Sequence, residues 1–300
     1  MPGQLARRWC AIAVLCAAAA GCADDDRATT ARVTNKEYIA SCIGIGGVDF
    51  DPPAVLCVGG LDGSLRELDV AMTPGVTPAL SADRSRIAVV DGDRVVIVGA
   101  TGELQQELAN QQGIEGLQWL PDGTGLVVQR VIAGEMTIEL LDLADGATDV
   151  LAGSAELPDG IEEGVSLSPD GARLALLRRV EDTSQLRILH LDTGEQEVVL
   201  ETDEPMRAPD WAPDGNHIAV AVAFRIESID VRDGSSQLIA ATDRDVTSPT
   251  WSPTEEQLLY VDSRGALLVV RDVGMSLPEA LVDHTADGDQ GRFPARPQWT

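Results

Sequence analysis

The side chains in this sequence that could perform acid–base, nucleophilic or metal chemistry are spread along the chain without a shared spacing. The three histidines, His190, His217 and His284, fall at unrelated positions in three different segments. No two of them have the short spacing that would place two metal ligands on one element. There is also no Gly-x-Ser-x-Gly segment, which presents the serine nucleophile of α/β-hydrolases. The sequence therefore predicts no catalytic residue, no metal ligand and no cofactor.

The N-terminus has the pattern of a secretory signal peptide. Arg7 and Arg8 precede an apolar run of eleven residues, 10–20, which ends in small side chains. A bilayer-spanning helix needs about 20 apolar residues, so this run is too short to be one. A basic start, a short apolar run and small residues before a break are typical of a cleaved export signal. We expect residues 1–21 to be removed.

Cys22 is the candidate lipidation site. The segment Ala19-Ala20-Gly21-Cys22 resembles the lipobox of bacterial lipoproteins, although Ala19 stands where the strongest lipoboxes have leucine. The resemblance implies that Cys22 receives a diacylglycerol and anchors the protein in the cell membrane on its extracytoplasmic side. The alternative is an ordinary signal peptide cleaved nearby, with Cys22 an incidental thiol. In either case the polar residues 22–37 predict a flexible tether.

The chain is strongly acidic, which excludes two classes of partner. It has 49 acidic and 22 basic residues and a formal net charge of −27, and loss of the two arginines in residues 1–21 moves that charge to −29. Lys36 is the only lysine. Nucleic acids and anionic lipid surfaces are bound by clustered Lys and Arg, so we expect neither as a binding surface. The acid is most simply ascribed to solubility or to a saline habitat.

A short motif recurs along the rest of the chain. Each copy has a Trp or Leu, one further residue, a proline and, in most copies, Asp-Gly. The copies are Trp119–Gly123, Leu167–Gly171, Trp211–Gly215 and Trp251–Glu255, with a degraded one at Leu80–Arg84. The positions equivalent to the proline are 39, 48, 44 and 40 residues apart. A period of about 40 to 50 residues is typical of a propeller blade.

Each motif is followed by the same succession of β-prone runs and turns. Ile218–Val222, for example, follows the third full motif, and Asp233-Gly234 ends the run after it. Four short strands per period, separated by Gly and Asp, indicate one blade. The conformation of a Pro-Asp-Gly turn accounts for each of its three residue types. We therefore expect Asp122, Asp170 and Asp214 to stabilise turns and not to take part in catalysis or metal binding. The Trp or Leu of each motif should pack between neighbouring blades.

These motifs resemble the WD40-like repeats of TolB-type propellers, which begin with Trp-Ser-Pro-Asp-Gly and end a strand with Leu-Asp-x-x-Gly. The likeness covers residues 78–300 clearly and residues 38–77 weakly. It implies a propeller fold and says little about activity. TolB proteins also carry a separate N-terminal domain, for which we see no room between the tether and the first strands. We therefore do not expect a role in a Tol-Pal system.

We predict that residues 38–300 form a single all-β domain, a β-propeller of six four-stranded blades. The predicted blades are 38–77, 78–113, 114–158, 163–204, 205–245 and 246–284. A last motif, Pro297-Gln298-Trp299, comes just before the final residue. We expect residues 296–300 to add one strand to the first blade, because closing the ring leaves no sheet edge open. A seventh blade would need more chain than the sequence supplies.

Cys42 and Cys57 are the candidate disulfide pair. They are the two cysteines that remain when Cys22 carries lipid, and disulfides persist in the oxidising compartments outside the cell membrane. Residues 39–45 and 54–58 are β-prone, and a hairpin between them would place Cys42 directly opposite Cys57. Opposed residues at a non-hydrogen-bonded pair have Cα atoms about 4.5 Å apart, which a disulfide can bridge. The alternative is two buried free thiols.

Two functional classes fit these patterns. The class that we favour is a non-catalytic interaction module displayed outside the membrane, whose partner is an envelope protein, a peptide or a glycan. The alternative is a metal-dependent propeller enzyme of the lactonase or lyase type. The absence of histidine clusters and the regularity of the repeats favour the module. The largest breaks in the pattern, residues 157–164 and 284–296, are the loop candidates for binding.

A calcium ion held by inward-facing carboxylates in the central channel is a further alternative. The sequence has many acids, but it contains no Asp-x-Asp-x-Asp-Gly loop of the kind that binds calcium. The run Asp24-Asp25-Asp26 lies in the predicted tether. We therefore predict no calcium-binding residue.

Overall fold

The computed structural model describes residues 31–34, 37–44, 54–153, 164–253, 257–263, 266–271, 273, 277–282 and 292–298. These residues form six four-stranded antiparallel sheets, which confirms the predicted all-β propeller of six blades. No helix occurs among them, and so none that is long and apolar enough to cross a membrane. The predicted signal peptide and the predicted lipidation site Cys22 lie outside the described residues.

The sheets follow one another along the chain. The first blade contains β1 (Glu37–Gly44), β2 (Ala54–Gly60) and β3 (Leu65–Met72), and the second contains β4 (Ala79–Leu80), β5 (Arg86–Asp91), β6 (Arg94–Gly99) and β7 (Leu104–Leu108). The third contains β8 (Ile114–Trp119), β9 (Gly125–Ile132), β10 (Glu135–Asp142) and β11 (Thr148–Ala152), and the fourth contains β12 (Val165–Leu167), β13 (Arg173–Val180), β14 (Thr183–His190) and β15 (Gln196–Thr202). The fifth contains β16 (Met206–Trp211), β17 (His217–Val222), β18 (Arg225–Asp230) and β19 (Ser236–Ala241), and the sixth contains β20 (Val246–Trp251), β21 (Leu258–Asp262), β22 (Leu267–Val270) and β23 (Glu279–Val282). The last strand, β24 (Arg292–Gln298), returns to the first blade.

Within each blade the first strand of the repeat is innermost. The strands β4, β8, β12, β16, β20 and β24 contact one another in succession around a central channel, whereas the outer strands β7, β11, β15 and β19 are largely exposed. The turns between first and second strands, at residues 81–85, 120–124, 168–172 and 212–216, therefore lie at one end of the channel. We call this end the motif face. The turns between second and third strands lie at the opposite end.

The ring is closed by β24, which forms the inner strand of the first blade. It pairs with β1 in an antiparallel register, in which Ser41 lies opposite Ala295, and it contacts β20 and β21 of the sixth blade. The observed strand begins four residues before the predicted closing strand 296–300, because backbone groups from Arg292 onward pair with β1. Residues 292–296 are consequently strand and not part of the predicted binding loop 284–296.

Six apolar clusters, one at each boundary between neighbouring blades, make up the core of the described residues. The motif residues Trp119, Trp211 and Trp251 lie in three of these clusters and are 3–7% exposed. The prediction that they pack between blades is confirmed. Burying one large apolar side chain contributes roughly 1.5–3 kcal/mol, so the ring is stabilised mainly by packing of one sheet face on the next.

The Pro-Asp-Gly turns adopt the conformation that their residues predict. The glycines Gly123, Gly171 and Gly215 have φ angles of 69°, 72° and 67°, a left-handed region that is costly for residues with a Cβ atom. In each turn the aspartate side chain accepts a hydrogen bond from the backbone N–H of the residue two positions later. These bonds are Thr124 to Asp122 at 2.9 Å, Ala172 to Asp170 at 3.0 Å and Asn216 to Asp214 at 2.8 Å. The repeated aspartates serve the turns.

In the second blade Arg84 takes the place of the turn glycine, with a φ of 60°. Its buried guanidinium donates to the carbonyl oxygens of Val33 at 2.8 Å, Thr34 at 2.7 Å and Glu37 at 2.9 Å. The Val33 N–H donates in return to the Arg84 carbonyl at 2.9 Å. Burial lowers the pKa of Arg84 to about 10, so the side chain stays charged at neutral pH. Arg84 thereby holds Val33, Thr34 and Glu37 on the motif face.

A β-bulge recurs in the outer strand of the second to sixth blades. The register between the third and the outer strand shifts directly after Ile97, Ile138, Leu186, Ile226 and Leu267. A bulge twists an edge strand and disrupts its row of free backbone groups, which disfavours edge-to-edge pairing. The bulges therefore protect outer strands that expose apolar side chains such as Val150 and Leu238.

A disulfide joins Cys42 of β1 to Cys57 of β2, with Cα atoms 5.9 Å apart and both side chains buried. The predicted register was wrong by two residues, because Cys57 lies opposite Ala40 and Cys42 lies opposite Val55. The cysteines are diagonal neighbours. The right-handed twist of paired strands brings one of the two diagonals closer, and 5.9 Å lies within the range of a disulfide.

Candidate functional site

A cavity of about 290 Å³ opens at the motif-face end of the central channel. Its wall is formed by side chains near the ends of the inner strands, and its rim by the prolines of the turn motifs. The wall includes Ala79, Gln118, Ser166, Asp210 and Gln298, and the rim includes Pro121, Pro169, Pro213 and Pro253. All six blades contribute, so the cavity is a product of the closed ring.

The wall residues occupy equivalent positions, directly before the Trp or Leu of each motif. In three consecutive blades this side chain accepts a hydrogen bond from the backbone of the next blade, a contact that we call a blade clasp. Gln118 Oε1 accepts from Leu167 N–H, Ser166 Oγ accepts from Trp211 N–H at 3.0 Å, and Asp210 Oδ2 accepts from Trp251 N–H at 2.8 Å. The clasps hold the wall side chains in fixed positions.

Asp210 is the only ionisable side chain among the described residues that line the cavity. Burial raises the pKa of Asp210 to about 7, although the hydrogen bond from Trp251 N–H favours the charged form. Desolvation disfavours a carboxylate in this way when no cation lies beside it. Asp210 therefore exchanges between its charged and neutral forms near neutral pH.

Two arginines support the tryptophans of the cavity. The Arg86 guanidinium lies 4.5 Å from the centre of the Trp119 ring, and the Arg173 guanidinium lies 4.6 Å from that of the Trp211 ring. Each arginine also donates to a turn carbonyl in the next blade, Gly123 at 2.9 Å and Gly215 at 3.0 Å respectively. Cation–π contacts and these hydrogen bonds restrain the aromatic part of the wall.

Asp210 directly follows a bulge in its inner strand. The register between β16 and β17 shifts between Arg207 and Asp210, and Ala208 has a φ of 46°. The equivalent bulge in β20 has Ser248 with a φ of 51°. A non-glycine residue with positive φ stores strain of order 1 kcal/mol or more, and bulges are frequent beside functional sites. The bulge sets the position from which Asp210 borders the cavity.

The structure does not bring His190 and His217 into one site. His190 Nε2 lies 3.5 Å from Glu197 in the fourth blade, and His217 Nδ1 lies 2.6 Å from Asp214 in the fifth. His284 and the predicted binding loop 157–164, apart from Gly164, lie outside the described residues. Within the ranges that the structure describes, no three His, Cys, Asp or Glu residues are grouped as a metal site.

Sequence reasoning missed Asp210. It identified the motif that begins at Trp211 but did not compare the residues that stand directly before each motif. That comparison reads Ala79, Gln118, Ser166, Asp210, Thr250 and Gln298. One acid among five neutral side chains is a signal that was available in the sequence.

Six four-stranded sheets around a channel define a β-propeller. The chain belongs to the family described as PD40, the TolB beta propeller domain, whose model matches residues 54–274. No curated protein matches the chain.

Solved structures share this fold at low sequence identity. A putative TolB from Agrobacterium tumefaciens is 16% identical with a TM-score of 0.62, over 86% of this chain and 91% of that one. TolB from Acinetobacter baumannii is 18% identical with a TM-score of 0.66, over 87% of this chain and 66% of that one. A chain of a nidogen/laminin complex is 12% identical with a TM-score of 0.65, over 87% of this chain and 97% of that one. At such identities the likeness describes the fold alone.

Proposed function

We propose that this protein is a non-catalytic interaction module, anchored by lipid at Cys22 on the extracytoplasmic side of the membrane, which binds an envelope protein, peptide or glycan. The observation that carries this proposal is the cavity at the motif face, whose wall is fixed by blade clasps and stacked arginines. Ligand sites are typically preformed concave pockets with apolar walls and a few placed polar groups. The cavity has these properties.

The chemistry of the cavity supports binding and not catalysis. Acid–base mechanisms commonly need a pair of groups with different pKa values, or a nucleophile beside a base. The described lining has one ionisable side chain, Asp210, and its serines are engaged in structural bonds: Ser166 accepts from Trp211 N–H, and Ser168 accepts from Arg173 N–H at 2.9 Å. These groups are arranged to hold the ring together.

A site-specific photo-crosslinker tests whether the cavity mouth is the binding surface. A benzophenone amino acid replaces the exposed Ala82, which borders the cavity, and in a matched control it replaces the exposed Asp182, in the turn between β13 and β14 at the opposite end. After irradiation of cells that express each variant, we expect an adduct of one discrete mass from position 82 and none from position 182.

Two further results decide the outcome. The adduct from position 82 should also diminish when the cavity is narrowed by substitution of a second rim residue, Pro121→Trp. Adducts of equal yield from both faces, or from position 182 alone, would show that the motif face is not the binding surface.

A further inference from the structure

We propose that the cavity binds a cationic nitrogen group of the partner, a guanidinium or an ammonium, against the carboxylate of Asp210. This inference rests on the proposed function and deepens it, because it names the chemistry that the partner must present. The partner would insert an arginine, a lysine or a free N-terminus into the motif-face end of the channel.

The position of Asp210 in the repeat is the first argument. The residues at the equivalent positions of the other repeats, Ala79, Gln118, Ser166, Thr250 and Gln298, are neutral. The clasp that Asp210 makes with the next blade does not require a charge, because Ser166 makes the same bond to Trp211 N–H with a hydroxyl group. A serine would thus serve the fold at position 210 without placing a charge in the cavity. The negative charge of Asp210 is therefore not needed to hold the propeller together.

The surroundings of Asp210 are the second argument. The strands packed against β16 carry the following ionisable residues: Arg173, Arg178 and Arg179 on β13, Arg187 and His190 on β14, and His217 on β17. β16 itself also carries Arg207, whereas β12 and β20 carry no ionisable residue. The pKa of Asp210 is governed by burial and by Trp251 N–H, and none of these groups contributes to it. Among the described residues, no cation lies beside this partly buried carboxylate, and such a group is destabilising until a cation arrives.

The remaining walls suit the stem of a long cationic side chain. Trp119, Trp211 and the rim prolines present apolar surface around the one charged group. Arginine and lysine pack their methylene groups on apolar surface while the charged end reaches a polar partner. A cavity of about 290 Å³ has room for one such side chain and not for a folded domain. The expected ligand is therefore a single extended residue or chain end.

A matched set of small probes tests the inference without knowledge of the natural partner. Nα-acetyl-arginine methylamide carries a guanidinium, and its citrulline counterpart is a neutral isostere. Triglycine amide carries a free N-terminal ammonium and so separates a chain end from a side chain as the source of the cation. Binding to the full mature chain is followed by NMR through the indole N–H signals, which include Trp119 and Trp211 of the cavity wall.

The variants isolate the charge of Asp210. Asp210→Asn keeps the shape of the side chain and an oxygen acceptor, and Asp210→Ser introduces the residue found at the equivalent position of the fourth blade. Two variants are used so that the test still works if one of them does not fold. Asp243→Asn is the control, because it removes an equal charge from a carboxylate that is 84% exposed. Circular dichroism confirms folding of each variant before titration.

We expect the wild type and Asp243→Asn to bind at least one cationic probe tenfold or more tightly than citrulline, and both position-210 variants to lose this preference. Binding of the arginine probe, whose guanidinium stays charged throughout, should strengthen between pH 6 and pH 8, because the pKa of Asp210 is raised to about 7. The variants should lack that dependence. Equal affinity for arginine, triglycine amide and citrulline, or unchanged preference in both variants, would overturn the inference. The crosslinking at position 82 can succeed in that case, so the two proposals fail separately.

Discussion

At the scale of single residues, Asp210 carries a charge that suits the proposed binding of a cation but opposes folding. Three consecutive inner strands use a hydrogen-bond acceptor at this position, and they supply an amide, a hydroxyl and a carboxylate group in turn. Only the carboxylate brings a charge whose desolvation opposes folding. The free energy of unfolding should therefore depend on the charge of Asp210 even without a ligand.

We expect Asp210→Asn to stabilise the folded protein at pH 8 and to have little effect at pH 4. The pKa of Asp210 is raised from 3.8 to about 7, so the folded state binds this proton more tightly than the unfolded state does. The resulting stability is complete below about pH 4 and is lost as the pH rises through about 7. A shift of this size corresponds to at most about 4 kcal/mol, and we expect about 2 kcal/mol.

Urea unfolding of both proteins at pH 4, 6 and 8 measures this difference. Asp243→Asn serves as the control for the loss of one surface charge and should follow the wild type at every pH. A pH-independent effect of Asp210→Asn would mean that burial does not raise the pKa of Asp210.

Sequence reasoning at this scale succeeded for residues with a local role. The turn aspartates Asp122, Asp170 and Asp214 were recognised because their neighbours Pro and Gly determine the turn. Asp210 has no such role in a turn, since its hydrogen bond comes from the next blade, 41 residues away along the chain. Only a comparison of equivalent positions across blades could have revealed it.

At the scale of elements, the blade clasps add hydrogen bonds to the side-chain packing between neighbouring inner strands. Neighbouring inner strands belong to different sheets, so no backbone ladder runs between them. A clasp therefore supplies, at each of three boundaries, a hydrogen bond that the sheets themselves do not provide. It also satisfies a backbone N–H that is buried beside a tryptophan.

We expect Ser166→Ala to lower the free energy of unfolding by about 2 kcal/mol, since a buried N–H without a partner costs about 1–3 kcal/mol. Ser166 is 2% exposed, and the N–H that loses its partner belongs to Trp211. Ser236→Ala, at the exposed start of the outer strand β19, is the matched control and should be neutral. Urea unfolding curves compare the three proteins, and equal midpoints for both variants would show that the clasp does not stabilise the ring.

Strand identity was predictable from the alternation of β-prone runs and Gly or Asp turns, whereas strand register was not. The hairpin of β1 and β2 is the clearest case, because nine residues, 45–53, lie between the two strands and a connection of that length does not fix the pairing as a two-residue turn would. A shift of two residues keeps every side chain on the same face of the sheet, so burial patterns cannot distinguish the two registers. The sequence therefore identified the disulfide partners and misplaced their pairing.

At the scale of the whole molecule, the proposed lipid anchor and the closed ring are separate features of the chain. The propeller is completed by β24, and Val33 is the first of the described residues in its core. We expect Cys22→Ser to abolish acyl labelling and to release a folded, soluble protein, because one diacyl group with an added acyl chain accounts for stable anchoring. Cell fractionation with circular dichroism measures both results. Undiminished membrane retention of the Cys22→Ser protein would contradict lipid attachment at this residue.

The bonds from Arg84 to Val33, Thr34 and Glu37 bear on how the proposed lipid anchor would orient the ring. They hold the N-terminal end of the described chain on the motif face. The chain from Cys22 to Val33, eleven residue steps, spans at most about 40 Å when fully extended. With Cys22 lipidated, as we propose, Val33 would stay within that distance of the headgroups, and the motif face would be the end of the channel to which the anchor is attached. A basic tail of a neighbouring membrane protein would then have only a short distance to cross to this face.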